Sequence, residues 1–260
     1  MTILDKIVAN KRLELERMKR ELPIEVLKQS VYYNRKGLSM RKSLENSATG
    51  IISEFKRKSP SKGFIKECAK VADIVPGYEA NGASGISILA DKDFFAGGAD
   101  DVKQGRSLLS HTPVLFKEFL IDEYQLHLAK SSGADVVLLI ASIMDVDTCH
   151  RLASKAKELD LEILLELYEP EEVAHIHPTV DMVGINNRNL KTFEVDLKAS
   201  VALCNSIPDD YLKVSESGIS NPETVKMLRS EGFRGFLMGE NFTKTENPAQ
   251  SLGEFIKALS

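Results

Sequence analysis

The feature that most constrains the fold is a recurrence. From Ile51 onward short apolar runs return every 20 to 35 residues: Ile51–Phe55, Ile86–Leu89, Val114–Phe116, Val136–Ile140, Ile163–Leu167, Met182–Ile185, Leu212–Val214 and Gly235–Met238. That interval is the repeat of a strand plus a crossover helix. The stretches between them have helical character: Val71–Asn81, Asp100–Leu109, Asp122–Ser132, Asp145–Leu159, Pro170–His175, Asp196–Cys204 and Pro222–Glu231, with Pro248–Leu259 last. Runs apolar throughout rather than alternating belong to parallel strands covered on both faces. Eight such units are best closed into a (β/α)8 TIM barrel, since a doubly wound sheet has fewer strands and a Gly-rich first turn. No G-x-G-x-x-G follows any strand here.

At 260 residues the chain fits one large α/β barrel. The expected organisation is a single barrel domain over residues 1–260, of which 1–47 form an N-terminal helical extension. There Ile3, Leu4, Ile7, Val8, Leu15 and Met18 recur at helical spacing, and Pro23 stops the pattern. A weaker helix is expected from Pro23 to about Tyr33, then a polar connection from Gly37 to Gly50.

An ionisable side chain inside a barrel strand costs several kcal/mol unless it is paired or faces the open mouth. Glu54 and Lys56 lie two apart late in the first run and so share one face. Lys117 in "PVLFKEF", Glu166 in "ILLELYEP", Asn186 and Arg188 in "GINNRNL", and Glu216 and Ser217 in "VSESGI" repeat the arrangement. Any one pair could be an interior salt bridge, with Lys56 or Lys117 neutralising Glu54 or Glu166. Five strands aiming polar groups at one end predict an active site at the C-terminal mouth. Gly218 after strand seven, and Gly239 with Glu240 after strand eight, let backbone N–H groups approach an anion beside a short extra helix, a phosphate cradle.

Other chemistries lack their residues. Lys and Arg number 34 against 38 Asp and Glu, a net charge of −4 that offers no broad basic field for nucleic acid or anionic lipid. His175 and His177 resemble a metal pair, but Pro178 follows and no Asp/His partner is suitably spaced. The other histidines, His111, His127 and His150, fall in helices or connections, and no G-x-S-x-G, H-E-x-x-H or P-loop is present. Cys68, Cys149 and Cys204 are odd in number and widely spaced, as expected of reduced thiols. Without a bilayer-length apolar run or a signal-peptide h-region, the expectation is a soluble, cytoplasmic protein with no membrane partner.

Nearly the whole chain resembles the indole-3-glycerol phosphate synthase family, from "ILDKIVANKR" through "IISEFKRKSPSKG", "ISILADKDFFAGG" and "GINNRNLKTFEVDL" to "VSESGI" and "GFLMGE". The resemblance implies a (β/α)8 barrel with an N-terminal helical extension. Its implied reaction closes 1-(o-carboxyphenylamino)-1-deoxyribulose 5-phosphate to indole-3-glycerol phosphate, releasing carbon dioxide and water. No cofactor or metal is implied, and the partner is the phosphorylated aryl-amino sugar; association with other tryptophan-pathway enzymes is left open.

By the resemblance Lys117 is the general acid, Glu166 assists proton transfer at dehydration, Glu54 relays to the lysines, and Lys56 holds substrate anions, phosphate included. Ser59, Asn186 and Arg188 line the anthranilate end, Glu216, Ser217 and Gly218 form the seventh-strand site, and Gly239 with Glu240 contacts phosphate. The loop Arg57–Lys62 would close over substrate. Phe116, Glu118, Tyr168 and Asn241 depart from the usual family pattern. A phosphosugar isomerase, a class I aldolase using Lys117 or Lys213 as Schiff-base nucleophile, and a non-catalytic scaffold remain as alternatives on the same barrel.

Overall fold

In the computed structural model, which describes residues 2–189 and 194–259, eight parallel strands close into a barrel. They are β1 (Ile51–Phe55), β2 (Gly85–Leu89), β3 (Val114–Lys117), β4 (Val136–Ile140), β5 (Glu162–Leu167), β6 (Met182–Asn186), β7 (Leu212–Glu216) and β8 (Gly235–Met238). Each pairs with its sequence neighbours, and β8 closes on β1 with Ile52 opposite Leu237. The helices are α1 (Ile3–Glu21), α2 (Ile24–Leu27), α3 (Met40–Glu45), α4 (Val71–Ala80), α5 (Ala99–Leu108), α6 (Glu123–Ser131), α7 (Val146–Glu158), α8 (Leu197–Cys204), α9 (Pro222–Ser230), α10 (Glu240–Thr243) and α11 (Pro248–Leu259). A 3₁₀ turn, Pro170–His175, stands between β5 and β6 where a helix was expected.

Strand alternation sorts the side chains into two cores. Ile51, Phe55, Phe116, Ile163, Leu165, Val183 and Ile185 point outward into the layer between strands and helices. Ile52, Leu115, Leu164, Met182, Leu212, Val214 and Leu237 point inward and fill the barrel. The same parity, carried further along each strand, brings Glu54, Lys117, Glu166, Asn186 and Glu216 to the inner face at the C-terminal end. The barrel is thus apolar at its base and ionic at its mouth.

Local signals start the helices where the sequence places them. Thr2 and Asp5 form a capping box on α1, Asp122 and Gln125 another on α6, and Asp145 and Asn221 cap α7 and α9. Two expectations for the extension are corrected. The helix expected over Pro23–Tyr33 reduces to Ile24–Leu27, after which the chain runs in turns. The polar connection Gly37–Gly50 contains α3, whose Met40 and Leu44 close the barrel base against the inner core. Glu162 at the start of β5 anchors α3: its carboxylate accepts from Ser39 Oγ and from the N–H groups of Met40 (2.7 Å) and Arg41 (3.0 Å).

Candidate active site

A cavity of about 430 Å³ opens at the C-terminal ends of the strands, and all twelve of the residues nominated above line it. Its floor is ionic. Lys117 Nζ, from β3, lies 2.5 Å from Glu216 Oε2 on β7 and 3.4 Å from Glu166 Oε2 on β5. Asn186 on β6 donates from Nδ2 to Glu166 Oε1 at 3.0 Å, fixing the second carboxylate. Lys56, just past β1, pairs with Glu54 at 2.5 Å. The interior ion pair that the sequence left open for Lys117 and Glu166 is present, with Glu216 the nearer partner.

Space for these carboxylates comes from glycines. A Cβ on Gly184 would stand 2.1 Å from Glu216 Oε1, and one on Gly239 2.6 Å from Glu54 Oε1. With three carboxylates and two ammonium groups the floor has one negative charge in excess. Burial opposes the charge on Lys117, but Glu216, Glu166 and Glu54 outweigh it and raise its pKa above the ordinary lysine value. Burial, with Glu166 and Glu54 nearby, pushes Glu216 up to about 7 despite Lys117. The two shifts have one cause: the surplus of buried negative charge favours the proton on Lys117 and disfavours the ionised form of Glu216.

The turn after β7 has an unusual backbone. Ser217 and Gly218 are both left-handed, with φ of 69° and 73°, a conformation that costs a non-glycine residue about 1 kcal/mol or more. Asn187 holds it, donating from Nδ2 to Ser217 O at 2.7 Å and to Ser215 Oγ at 3.0 Å. After β8, Gly239 caps the short helix α10, which places its first N–H groups at the cavity edge. The Glu240 carboxylate pairs with Lys62 at 2.6 Å.

The loop following β1 is more ordered than the expected polar lid. Lys58–Ser59 and Gly63–Phe64 form a two-stranded hairpin, and Ser59, Pro60, Ser61 and Lys62 line the cavity beneath it. Its base is held by Arg57, which grips Asp101 with two hydrogen bonds of 2.6 and 2.9 Å and donates to Ala69 O and Ala96 O.

Sequence reasoning missed the apolar wall. Ile3, Leu4 and Ile7 from α1, with Leu89, Phe95, Phe119, Leu138 and Ile140, are among the residues that line the cavity. The Phe95 and Phe119 rings are 6.0 Å apart. One signal was available: Phe119 follows Lys117 by two, the same-face spacing used for Glu54 and Lys56. Lys213, the alternative Schiff-base lysine, lies elsewhere: it alternates with inward Leu212 and Val214 near the start of β7, and its ammonium pairs with Asp209 at 3.1 Å. Among the described residues no cluster of three or more His, Cys, Asp or Glu is placed to hold a metal ion, and no helix is long and apolar enough to cross a membrane.

A family model described as indole-3-glycerol phosphate synthase matches residues 4–255. The chain is 49% identical to the indole-3-glycerol phosphate synthase of Bacteroides thetaiotaomicron, over 99% of this chain and 98% of that one. To that of Salinibacter ruber it is 39% identical, over 97% and 94%. Among solved structures, 3-hexulose-6-phosphate synthase from Salmonella typhimurium superposes with a TM-score of 0.64 at 16% identity, covering 81% of this chain and 98% of that one. The tryptophan synthase alpha subunit from Legionella pneumophila gives 0.61 at 14% identity, over 85% and 96%. These two likenesses establish the barrel alone; the sequence matches run from the first helix to the last, and by them the chain belongs to the indole-3-glycerol phosphate synthase family.

Proposed function

We propose a division of labour at the mouth of the barrel for the reaction of this family, ring closure of 1-(o-carboxyphenylamino)-1-deoxyribulose 5-phosphate with loss of carbon dioxide and water. The observation that carries it is the Lys117 side-chain nitrogen held between the Glu216 and Glu166 carboxylates on the floor of a cavity that apolar side chains also line.

The aryl ring rests against Phe95, Phe119 and the α1 residues, which brings its carboxyl-bearing carbon over the ketone. As the carbon–carbon bond forms, the carbonyl oxygen becomes an alkoxide, and Lys117 supplies its proton. The C–CO₂ bond then breaks and its electron pair restores the aromatic ring. In the dehydration the hydroxyl leaves as water with a proton from a lysine, while Glu166 assists the accompanying proton transfer.

Glu54, paired with Lys56, orients that second lysine, and Lys56 serves the substrate anions and a later acid step. Ser59, Asn186 and Arg188 receive the carboxylate end, where a guanidinium can make two parallel hydrogen bonds. Glu216 and Ser217 bind at the seventh strand. Backbone N–H groups at Gly218, Gly239 and Glu240 receive the phosphate, with Lys62 drawn to it from the hairpin. Free Cys68, Cys149 and Cys204 support a reducing, cytoplasmic setting, and association with other tryptophan-pathway enzymes is part of the same reading.

The test uses the absence of tryptophan from the chain, whose count is 0, so product indole fluorescence has no indole background from the protein. Purified protein is mixed with the substrate beside a Lys117→Ala control. Product from the wild type and a loss of 10³-fold or more in the control, on the order expected for a general acid that also stabilises charge, supports the assignment. Equal rates in both would remove Lys117 from the chemistry.

A further inference from the structure

The first helix meets the active-site mouth through a buried ammonium group, beside an exposed hydrogen bond of 2.7 Å from Asn10 Nδ2 to Asp93 Oδ2. Lys11, on α1, is 1% exposed. Its Nζ lies 2.6 Å from Glu14 Oε2, 2.9 Å from Asp91 Oδ2 and 2.9 Å from Glu118 Oε2. Glu14 belongs to the same helix. Asp91 stands just past β2, and Glu118 immediately follows Lys117.

The two loop carboxylates hold their own backbones as well. Asp91 Oδ1 accepts from Phe94 N and Glu118 Oε1 from Phe119 N, both at 2.7 Å. These are the segments that carry Phe95 and Phe119 into the cavity wall. Ile7, one helical turn before Lys11, enters the same wall with Ile3 and Leu4. Lys11 is therefore the point at which three separate pieces of that wall meet, although it is not itself among the lining residues.

Stability is a weak account of such a group, because a buried ion cluster is often no more stable than apolar packing of the same volume. The ammonium is what balances the charge of the cluster: burial opposes its charged form, but Glu118, Asp91 and Glu14 outweigh it and raise the Lys11 pKa above the ordinary lysine value. Burial pushes Glu118 up to about 7, with Lys11 opposing and Asp91 adding to the rise. Without the ammonium, two buried carboxylates would face each other and the loops would separate or take up a proton.

We infer that Lys11 is a positioning residue for substrate binding: its ammonium locks α1 to the loops after β2 and β3 and so sets the Phe95 and Phe119 face that receives the aryl ring. This rests on the reading of the cavity given above. It places the effect in affinity rather than chemistry, since Lys117 keeps its own partners on β5 and β7.

The experiment is steady-state kinetics by product fluorescence for the wild type, Lys11→Met, Lys11→Arg and Asp91→Asn. Each is measured at a temperature where circular dichroism finds it folded. In Lys11→Met, KM should rise about tenfold or more while kcat stays within about threefold. Lys11→Arg should keep KM within about threefold of the wild type, and Asp91→Asn should raise it by a smaller factor than Lys11→Met. If the wild type does not turn over, the functional reading falls and this inference with it. If it does, and folded Lys11→Met keeps KM within about twofold or loses kcat alone, the inference is overturned by itself. Should Lys11→Met fail to fold, Asp91→Asn decides, and an unchanged KM there overturns the proposal.

Discussion

Lys117 is held more closely by Glu216 than by Glu166, at 2.5 Å against 3.4 Å. The ammonium on the third strand thus takes its main counterion from the seventh. The fifth-strand carboxylate keeps the longer contact to Lys117 and accepts a 3.0 Å hydrogen bond from Asn186 on its other oxygen.

Glu216→Gln keeps the side-chain shape and removes the anion that holds the Lys117 proton. One of the three carboxylates raising the lysine pKa is lost, so its proton is released at lower pH. An acid catalyst is active while protonated, and activity falls as pH rises through its pKa. The alkaline limb of the kcat/KM profile should therefore move to lower pH than in the wild type, and kcat should fall about 10²-fold. A limb that stays in place would mean that Glu166 and Glu54 suffice to hold the proton.

Gly184→Ala probes the same contact through the backbone. The added Cβ would stand 2.1 Å from Glu216 Oε1 and 3.3 Å from Leu164 Cδ1. The end of a glutamate side chain can swing away, so the stability cost is modest, about 1–3 kcal/mol. The swing takes the carboxylate off Lys117, and kcat should fall about tenfold or more. Thermal melting and turnover together separate the two effects, and a variant that melts early with unchanged kcat would contradict this account.

The barrel was legible because its signals are local and repeated: eight apolar runs with helix-like stretches between them. The polar half of the site was legible for the same reason, since charge inside an apolar strand is conspicuous. What escaped depends on contacts across the chain. Met40 and Leu44 look like scattered apolar residues in a polar segment until Glu162, over a hundred positions away, caps their helix. Phe95, Phe119 and Ile3 look like ordinary core residues, because nothing local distinguishes an apolar side chain facing a cavity from one facing a neighbour. The preference of Lys117 for Glu216 is set by side-chain geometry across the barrel, which spacing along one strand does not encode.

Arg57→Lys tests how the hairpin over the site is held. Arg57 makes two hydrogen bonds to Asp101, donates to two backbone carbonyls, and lies 4.9 Å over the Phe55 ring. A lysine can keep the charge but not the fork or the stacking. Because Lys56 and Ser59 flank this anchor, kcat/KM should drop about tenfold, with a loss of stability on the order of 1–3 kcal/mol. Limited proteolysis near Lys62 should quicken in step. Unchanged cleavage and activity would mean that the hairpin is held from elsewhere, for instance by Lys62 on Glu240.

Glu79 provides an acid-sensitive tie far from the chemistry. Its carboxylate accepts from the N–H groups of Ser110, His111 and Thr112 at 2.9–3.1 Å. Burial works against the charged form, but these donors outweigh it and lower the pKa from its ordinary 4.5 to about 2. In the unfolded chain the carboxyl takes up its proton near the ordinary value, so between pH 4.5 and 2 the unfolded state binds more protons. The stabilisation is complete above that window and disappears as pH falls through it. Glu79→Gln should therefore cost on the order of 2 kcal/mol at neutral pH, with the side chain's partial exposure reducing the full linkage value. Urea unfolding of both proteins at pH 7 and pH 3 checks the sign: the gap between them should narrow at the lower pH. A gap that is constant or wider would show that the loop is held by packing, and that the carboxylate charge contributes nothing to it.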